Sequence, residues 1–237
     1  MTGPRRLDWP NCVNVRDLAG LRIGNGGRIR VGALIRSDNL SRLTEAGIAA
    51  VRAADVSRII DVRTPDECCY DPDPFAGEPI YRNLPLAKAG DTYDPALPIE
   101  QDYAVMLDRN PDLFAAALAA IAEAPPGAVL VHCHSGKDRS GVVIALALSL
   151  AGVNPDLIAA DYAVLTRAMQ DHFDRQLETV ADPAQRALLG ASFTAEPETM
   201  LSVLRHLEES YDGVETYLRR GGLSAGPVEA LRSRLRD

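Results

Sequence analysis

The stretch Val129-Leu-Val-His-Cys-His-Ser-Gly-Lys-Asp-Arg-Ser-Gly-Val-Val-Ile-Ala-Leu-Ala-Leu148 decides how this chain is read. It has three parts. Ala128–Val131 is a short apolar run that reads as a buried strand. His132–Arg139 is polar, holds a glycine and reads as a loop. Ser140–Leu150 is apolar nearly all round and reads as a central buried helix. A turn from strand into helix points several backbone N–H groups inward, and the helix N-terminus adds positive dipole. Such a cradle suits a doubly charged oxyanion. Cys133 stands at its start and Arg139 closes it. A thiol near aligned N–H groups and a guanidinium is favoured in its ionised form. An arginine fork grips two phosphate oxygens at once, which lysine cannot do. Together they would place a nucleophile beneath a phosphorus atom and a clamp beside it. That chemistry is phosphoryl transfer through a phosphocysteine, with no metal and no cofactor.

Around this unit, strands alternate with helices up to residue 150, which predicts an α/β fold: a central, mostly parallel, twisted sheet flanked by helices. Leu21–Ile23 and Arg28–Val31 flank Gly24-Asn25-Gly26-Gly27, a hairpin pattern. Thr44 caps a helix running to about Ala54. Ser57–Val62 reads as a buried strand and Ile80–Leu84 as another. Between them lies a loop with Pro65, Pro72, Pro74 and Pro79. A second polar loop covers roughly 87–98. Residues 100–123 have one helical period, with Tyr103, Met106, Leu107, Phe114, Leu118 and Ile121 on the core face. After Pro155 the chain reads as helices with breaks near Pro183, Pro197, Gly213 and Gly226.

Composition narrows the classes further. The chain has 237 residues, 46% of them hydrophobic, and a net charge of −8. A body of this size buries its core without disulfides. The acidic balance disfavours a nucleic-acid partner. Four cysteines without a CxxC pair suit neither a zinc site nor a disulfide framework. A metal centre from His132, Cys133 and His134 is disfavoured because consecutive residues on a tight loop rarely converge on one ion. The N-terminus lacks the apolar core of a signal peptide, and the longest apolar stretch, Val142–Val153, is too short to span a bilayer. The expected setting is cytoplasmic, with export lacking a recognisable signal left open. Oligomeric state is not legible.

The string His-Cys-His-Ser-Gly-Lys-Asp-Arg-Ser-Gly resembles the signature loop of the protein tyrosine phosphatase superfamily, His-Cys-x5-Arg-Ser/Thr. Its Gly-Lys-Asp-Arg core is similar to the loop of atypical bacterial tyrosine phosphatases and to the lysine-containing loops of phosphoinositide phosphatases. Asn14-Val-Arg-Asp-Leu-Ala-Gly20 resembles the Asn-x-Arg-Asp-Leu-Gly-Gly segment of the same bacterial family. Arg36-Ser37-Asp38, Asp61-Val62-Arg63, Glu196-Pro197-Glu198 and Tyr211-Asp212-Gly213 match its pattern too. Ala19 departs from it and excludes a backbone angle only glycine tolerates.

The resemblance implies one tyrosine phosphatase-like domain over 1–237, with 155–212 as a helical insertion or lid that shields the thiol from oxidants. It implies Cys133 as nucleophile, Arg139 as phosphate clamp and Asp138 as general acid. His134, Ser135, Gly136, Lys137 and Ser140 would bind phosphate or substrate. Lys137 would suit an acidic substrate, and Ser140 would donate to the Cys133 sulfur. His132 would orient the loop. Asp61 is a lesser candidate, for acid or for anchor, as are Asp91 and Asp94 on the second polar loop. Asn14, Arg16 and Asp17 read as a brace for the loop, and Arg36 and Arg63 as scaffold. Cys68-Cys69 could partner an oxidised Cys133, though ordinary thiols are the simpler reading. The expected activity is metal-independent hydrolysis of phosphotyrosine monoesters, with phosphoserine/threonine or phosphoinositide as further substrates, on a phosphorylated protein or a phosphoinositide, with no stable membrane insertion. The alternatives are a phosphoinositide-preferring lipid phosphatase and, more remotely, a rhodanese-type sulfurtransferase, which also holds a Cys in an anion-cradling loop.

Overall fold

The computed structural model describes residues 5–24, 26–91, 97–168, 170–183, 185–186, 189–190 and 194–237. Among them six strands form one sheet in the order β1-β2-β3-β6-β4-β5. They are β1 (Arg5–Arg6), β2 (Arg16–Asp17), β3 (Leu34–Ser37), β4 (Val56–Asp61), β5 (Tyr81–Asn83) and β6 (Ala128–His132). The pairs β3–β6, β6–β4 and β4–β5 are parallel, and the two outer pairs β1–β2 and β2–β3 are antiparallel. The expected mostly parallel sheet is therefore present.

β6 lies at its centre, and all five of its residues are buried. Burial on both faces explains its unbroken apolar run, because a strand covered on each side needs no polar alternation. Val129 and Val131 face the larger core. Ala128 and Leu130 face a smaller core with Trp9, Val51 and Phe75, on the side of α1 (Glu45–Ala53). Thr44 caps α1, its side chain accepting from Gly47 N.

The larger core is closed by α3 (Ile99–Arg109), α4 (Pro111–Ala122), α5 (Arg139–Leu150), α6 (Pro155–Ala168) and three C-terminal helices. These are α8 (Pro197–Tyr211), α9 (Val214–Arg220) and α10 (Ala225–Leu235), with α7 (Gln170–Glu178) lying between α6 and α8. α5 is the buried central helix that its composition predicts, and only Arg139 and Ser149 of its residues escape full burial. No helix among the described residues is long and apolar enough to cross a membrane.

Four details differ from the sequence reading. The period over 100–123 belongs to two helices, because Pro111 lacks the N–H to continue α3 and instead takes the first position of α4. The proline-rich loop contains a short helix, α2 (Pro65–Tyr70), started by a reciprocal Thr64–Glu67 capping box. The break placed near Gly226 falls earlier, around Gly221–Ser224, and Gly226 lies inside α10. The Gly24–Gly27 hairpin forms as a single bridge, Arg22 to Arg28, with Asn25 outside the described residues. Ala19 is not among the positive-φ residues, so its departure from the family pattern strains nothing.

Leu146 is fully buried on α5, the helix whose N-terminal dipole faces the loop. Leu146→Ala is expected to cost about 3 kcal/mol in chemical denaturation, the usual range for a core leucine that leaves a cavity.

Candidate active site

The loop 133–139 is tied down from behind by its carbonyls. Asn39 N donates to His134 O at 2.9 Å. Asn14 Nδ2 donates to Ser135 O and Gly136 O at 3.1 Å each. Arg36 Nη2 donates to Gly136 O at 2.6 Å. In a trans peptide the next N–H points opposite to the carbonyl. Anchoring these three carbonyls outward therefore turns the N–H groups of Ser135, Gly136 and Lys137 to the other side, as an oxyanion cradle requires. Gly136 has φ +70°, and a Cβ there would lie 2.5 Å from Ser37 O and 2.7 Å from Asn14 Nδ2. Only glycine fits.

Behind the loop sits a buried charge cluster. Asp161 on α6 takes Arg16 Nε on Oδ1 at 3.2 Å and Arg36 Nη1 on Oδ2 at 2.6 Å. Arg16 also reaches Asn14 Oδ1. Burial pushes the Asp161 carboxyl up, but the two guanidinium groups outweigh it and hold it below the ordinary range. Burial, with Arg36 alongside, lowers Arg16 to about 10 despite Asp161. Two cations on one carboxylate leave a net positive charge against Gly136 O. The brace expected of Asn14 and Arg16 is thus present, with Arg36 and Asp161 as further members. Asp17 serves differently, accepting from Ala19 N and Gly32 N.

Cys133 is 1% exposed, and its sulfur lies 3.2 Å from Ser140 Oγ on the first turn of α5. Arg139 forks onto Glu67 of α2 with both terminal nitrogens, Nη2 to Oε1 at 2.8 Å. Burial pushes the Glu67 carboxyl up, but the Arg139 bond and charge bring it down to about 2. No partner of Arg139 Nε is seen among the described residues, so that edge of the fork is available. Asp138 is the N-cap residue of α5 without a capping bond of its own, and its side chain is 37% exposed. Its Oδ1 takes the hydroxyl of Tyr103 and lies 3.0 Å from Lys137 Nζ. Lys137 is 4% exposed and also donates to Thr194 O at 3.3 Å, so this cation is turned inward more than the sequence implied.

The loop opens onto a cavity of about 1270 Å³. His134, Ser135, Lys137, Asp138 and Arg139 line it, while Cys133 and Ser140 are buried and not among its lining residues. Phe173 and Arg175 of α7 line another part of the wall, so the 155–212 region borders this cavity.

His132 and Asp61 stay behind the site. His132 Nδ1 contacts Cys133 O at 3.3 Å, and its Nε2 lies 3.3 Å from Asp73 and 3.7 Å from Asp61. Asp61 is fully buried and takes Arg63 Nε and Nη2, Arg63 N and the Tyr81 hydroxyl. Burial raises its carboxyl, yet His132 and Arg63 outweigh that and hold it below the ordinary range. Of its two expected roles, the geometry matches the anchor. Asp61, Asp73 and His132 are the group among the described residues whose ligand atoms cluster closely enough for a metal. Asp61 already accepts a fork and a phenol there, which leaves it poorly placed to ligate. Asp91 accepts from Lys88 N and Asn110 Nδ2, and Asp94 lies outside the described residues. The four cysteines are free, and Cys68 Sγ sits 3.4 Å from Asp61 Oδ2.

As site residues, Glu67, Tyr103, Asp161 and Tyr162 escape the sequence reading. Glu67 had a signal, the Thr64-x-x-Glu67 capping box after a strand. The others lie on apolar helical faces and gave none.

A thiol, a loop whose anchored carbonyls turn its amides inward, and a guanidinium thus share one strand–loop–helix unit. A model described as the tyrosine phosphatase family matches residues 7–237, and the chain belongs to that family. A tyrosine-protein phosphatase of Nostoc commune is 30% identical over 86% of this chain and 74% of that protein. The triple specificity protein phosphatase PtpB of Mycobacterium tuberculosis is 26% identical over 95% of this chain and 97% of its own length. The solved structure of P. aeruginosa TpbA aligns with a TM-score of 0.38 and 16% identity, covering 85% of this chain and 96% of that one.

Glu67→Gln keeps the capping geometry but removes the charge that holds the Arg139 fork. It is expected to lower kcat/KM for an aryl phosphate by about tenfold, a value in keeping with one charge-assisted pair, with the thermal midpoint measured alongside as a control for folding.

Proposed function

We propose that this phosphatase hydrolyses phosphotyrosine monoesters through a phosphocysteine intermediate. The observation that carries the reading is the loop itself, with carbonyls anchored outward, Cys133 at its start with its sulfur against Ser140, and the Arg139 fork held on Glu67 at its end. The Cys133 thiolate attacks phosphorus, the S–P bond forms, and the ester P–O bond breaks. The inward N–H groups and the Nε edge of Arg139 take the charge on the equatorial oxygens. Asp138 protonates the departing oxygen and afterwards removes a proton from the water that splits the S–P bond. Ser140 donates to the sulfur and eases its departure. No step needs a metal.

One observation favours a second reading, that of a phosphoinositide-preferring enzyme. Arg42, Arg109 and Arg175 line the same cavity as Lys137, which gives a substrate with further anionic groups cations to meet. The α7 wall supports the lid reading of the 155–212 region, in which these helices limit access of oxidants to Cys133.

Purified protein with EDTA present is expected to cleave an aryl phosphate, to be inhibited by vanadate, and to lose turnover in Cys133→Ser. Asp138→Asn is expected to slow phosphotyrosine peptide hydrolysis by about 100-fold, the low end of general-acid contributions. Turnover surviving in Cys133→Ser overturns the thiolate mechanism. A panel of phosphopeptides and phosphoinositides, compared by kcat/KM, decides between the two substrate readings.

A further inference from the structure

Asp138 is held from outside the loop by two tyrosines. The Tyr103 hydroxyl on α3 donates to Asp138 Oδ1, and it lies 3.0 Å from the Tyr162 hydroxyl on α6. The rings meet edge to face, centroids 6.5 Å apart. Tyr103 has a single hydroxyl proton, and Asp138 takes it, so Tyr162 must be the donor between the two phenols. The chain of donors runs one way, from Tyr162 to Tyr103 to Asp138.

That direction decides where an acidic proton can sit. Oδ1 already faces the Tyr103 hydrogen and the Lys137 ammonium. A proton there would oppose both, so it sits on Oδ2. Both phenols are poor acids: burial, then the charge of Asp138, pushes each above its ordinary range. They remain donors and exchange no proton themselves. Packing does not explain the hydroxyls. Tyr103 is 1% exposed inside the larger core, where a phenylalanine would bury the same ring without a polar group to satisfy.

We propose that Tyr103, backed by Tyr162, is a positioning residue for the general acid, holding the Asp138 carboxyl so that its Oδ2 proton faces the leaving oxygen. The inference rests on Asp138 being that acid. In the step it serves, the Oδ2 proton moves to the ester oxygen as the P–O bond breaks and the S–P bond forms. The carboxylate left behind keeps both donors on Oδ1.

The test compares two aryl phosphates by kcat/KM, which reports the step up to P–O cleavage. Phenyl phosphate has a basic leaving group that needs the proton, and 2,4-dinitrophenyl phosphate has one that leaves without it. Tyr103→Phe is expected to lose about tenfold on phenyl phosphate and under about twofold on the dinitrophenyl ester, within the range a displaced general acid spans. Tyr162→Phe is expected to show the same selectivity at smaller size, and it carries the comparison if Tyr103→Phe does not fold. Tyr103→Phe in an Asp138→Asn background should cost nothing further. Vanadate inhibition should be unchanged in both tyrosine variants, since the cradle is untouched. Equal loss on the two esters, or full additivity with Asp138→Asn, overturns the proposal. If Asp138→Asn itself loses equally on both esters, the acid assignment falls and the proposal with it. If Asp138→Asn is selective and the tyrosine variants are not, only the role of Tyr103 falls.

Discussion

The whole site depends on three outward-facing carbonyls. The six residues between β6 and α5 have no reason of their own to turn their amides inward, because that orientation crowds N–H dipoles together. The crowding is offset by the groups that grip the other side of each peptide plane: Asn39 on His134 O, Asn14 on Ser135 O and Gly136 O, and Arg36 on Gly136 O. The grip comes from β3, from the segment just before β2 and from the turn after β3. Parallel pairing of β3 with β6 sets Ser37 opposite His132, and this register brings Arg36 and Asn39 within reach of the loop. The sheet therefore aims the amides as well as carrying the loop.

Electrostatics keeps the same division between back and front. Behind the loop, Arg16, Arg36 and Asp161 leave one uncompensated cation in a buried setting, where screening by water is weak. In front, the Arg139 fork is committed at its two ends to Glu67 and open at Nε. A chain with a net charge of −8 thus concentrates positive potential where a phosphate would enter. Around the loop, Arg16, Arg36, Lys137 and Arg139 face Asp161, Glu67 and Asp138, so one net positive charge remains there. Glu67 and Asp161 are each pinned on guanidinium groups, and Asp138 is held by Tyr103 and Lys137.

The part of the site that lies in one stretch of chain was legible in the sequence. Strand, loop and helix are set by apolar runs on either side of His132–Arg139, and the structure returns them with boundaries shifted by a residue. The N-terminal motif was legible as a brace because Asn, Arg and Asp close together on an otherwise apolar segment must satisfy one another or a neighbour once buried. The residues that arrive from a distance could not be read. Tyr103 fits the apolar period of α3, and periodicity sees its ring but not its hydroxyl. Asp161 and Tyr162 stand alone among apolar neighbours in α6, where a polar residue reads as a solvent-facing position. Glu67 was hidden by prolines that suggested loop, although Pro65 occupies the one helical turn that tolerates it. The merged helix at 100–123 failed for the opposite reason, since the apolar faces of α3 and α4 stay in phase across Pro111.

Asp161 and Tyr162 also change how the C-terminal third relates to the site. They are consecutive on α6, so their side chains leave the helix about 100° apart. One reaches the arginines behind the loop and the other reaches the Tyr103–Asp138 pair in front. A displacement of α6 large enough to uncover the cavity would break a buried ion cluster and a buried phenol contact together. Each of those groups would then be left unpaired in a dry interior, where lost partners cost the most. α6 thus stands with the foundation of the site. Beyond α6, Phe173 and Arg175 of α7 form part of the cavity wall, and Arg175 remains exposed.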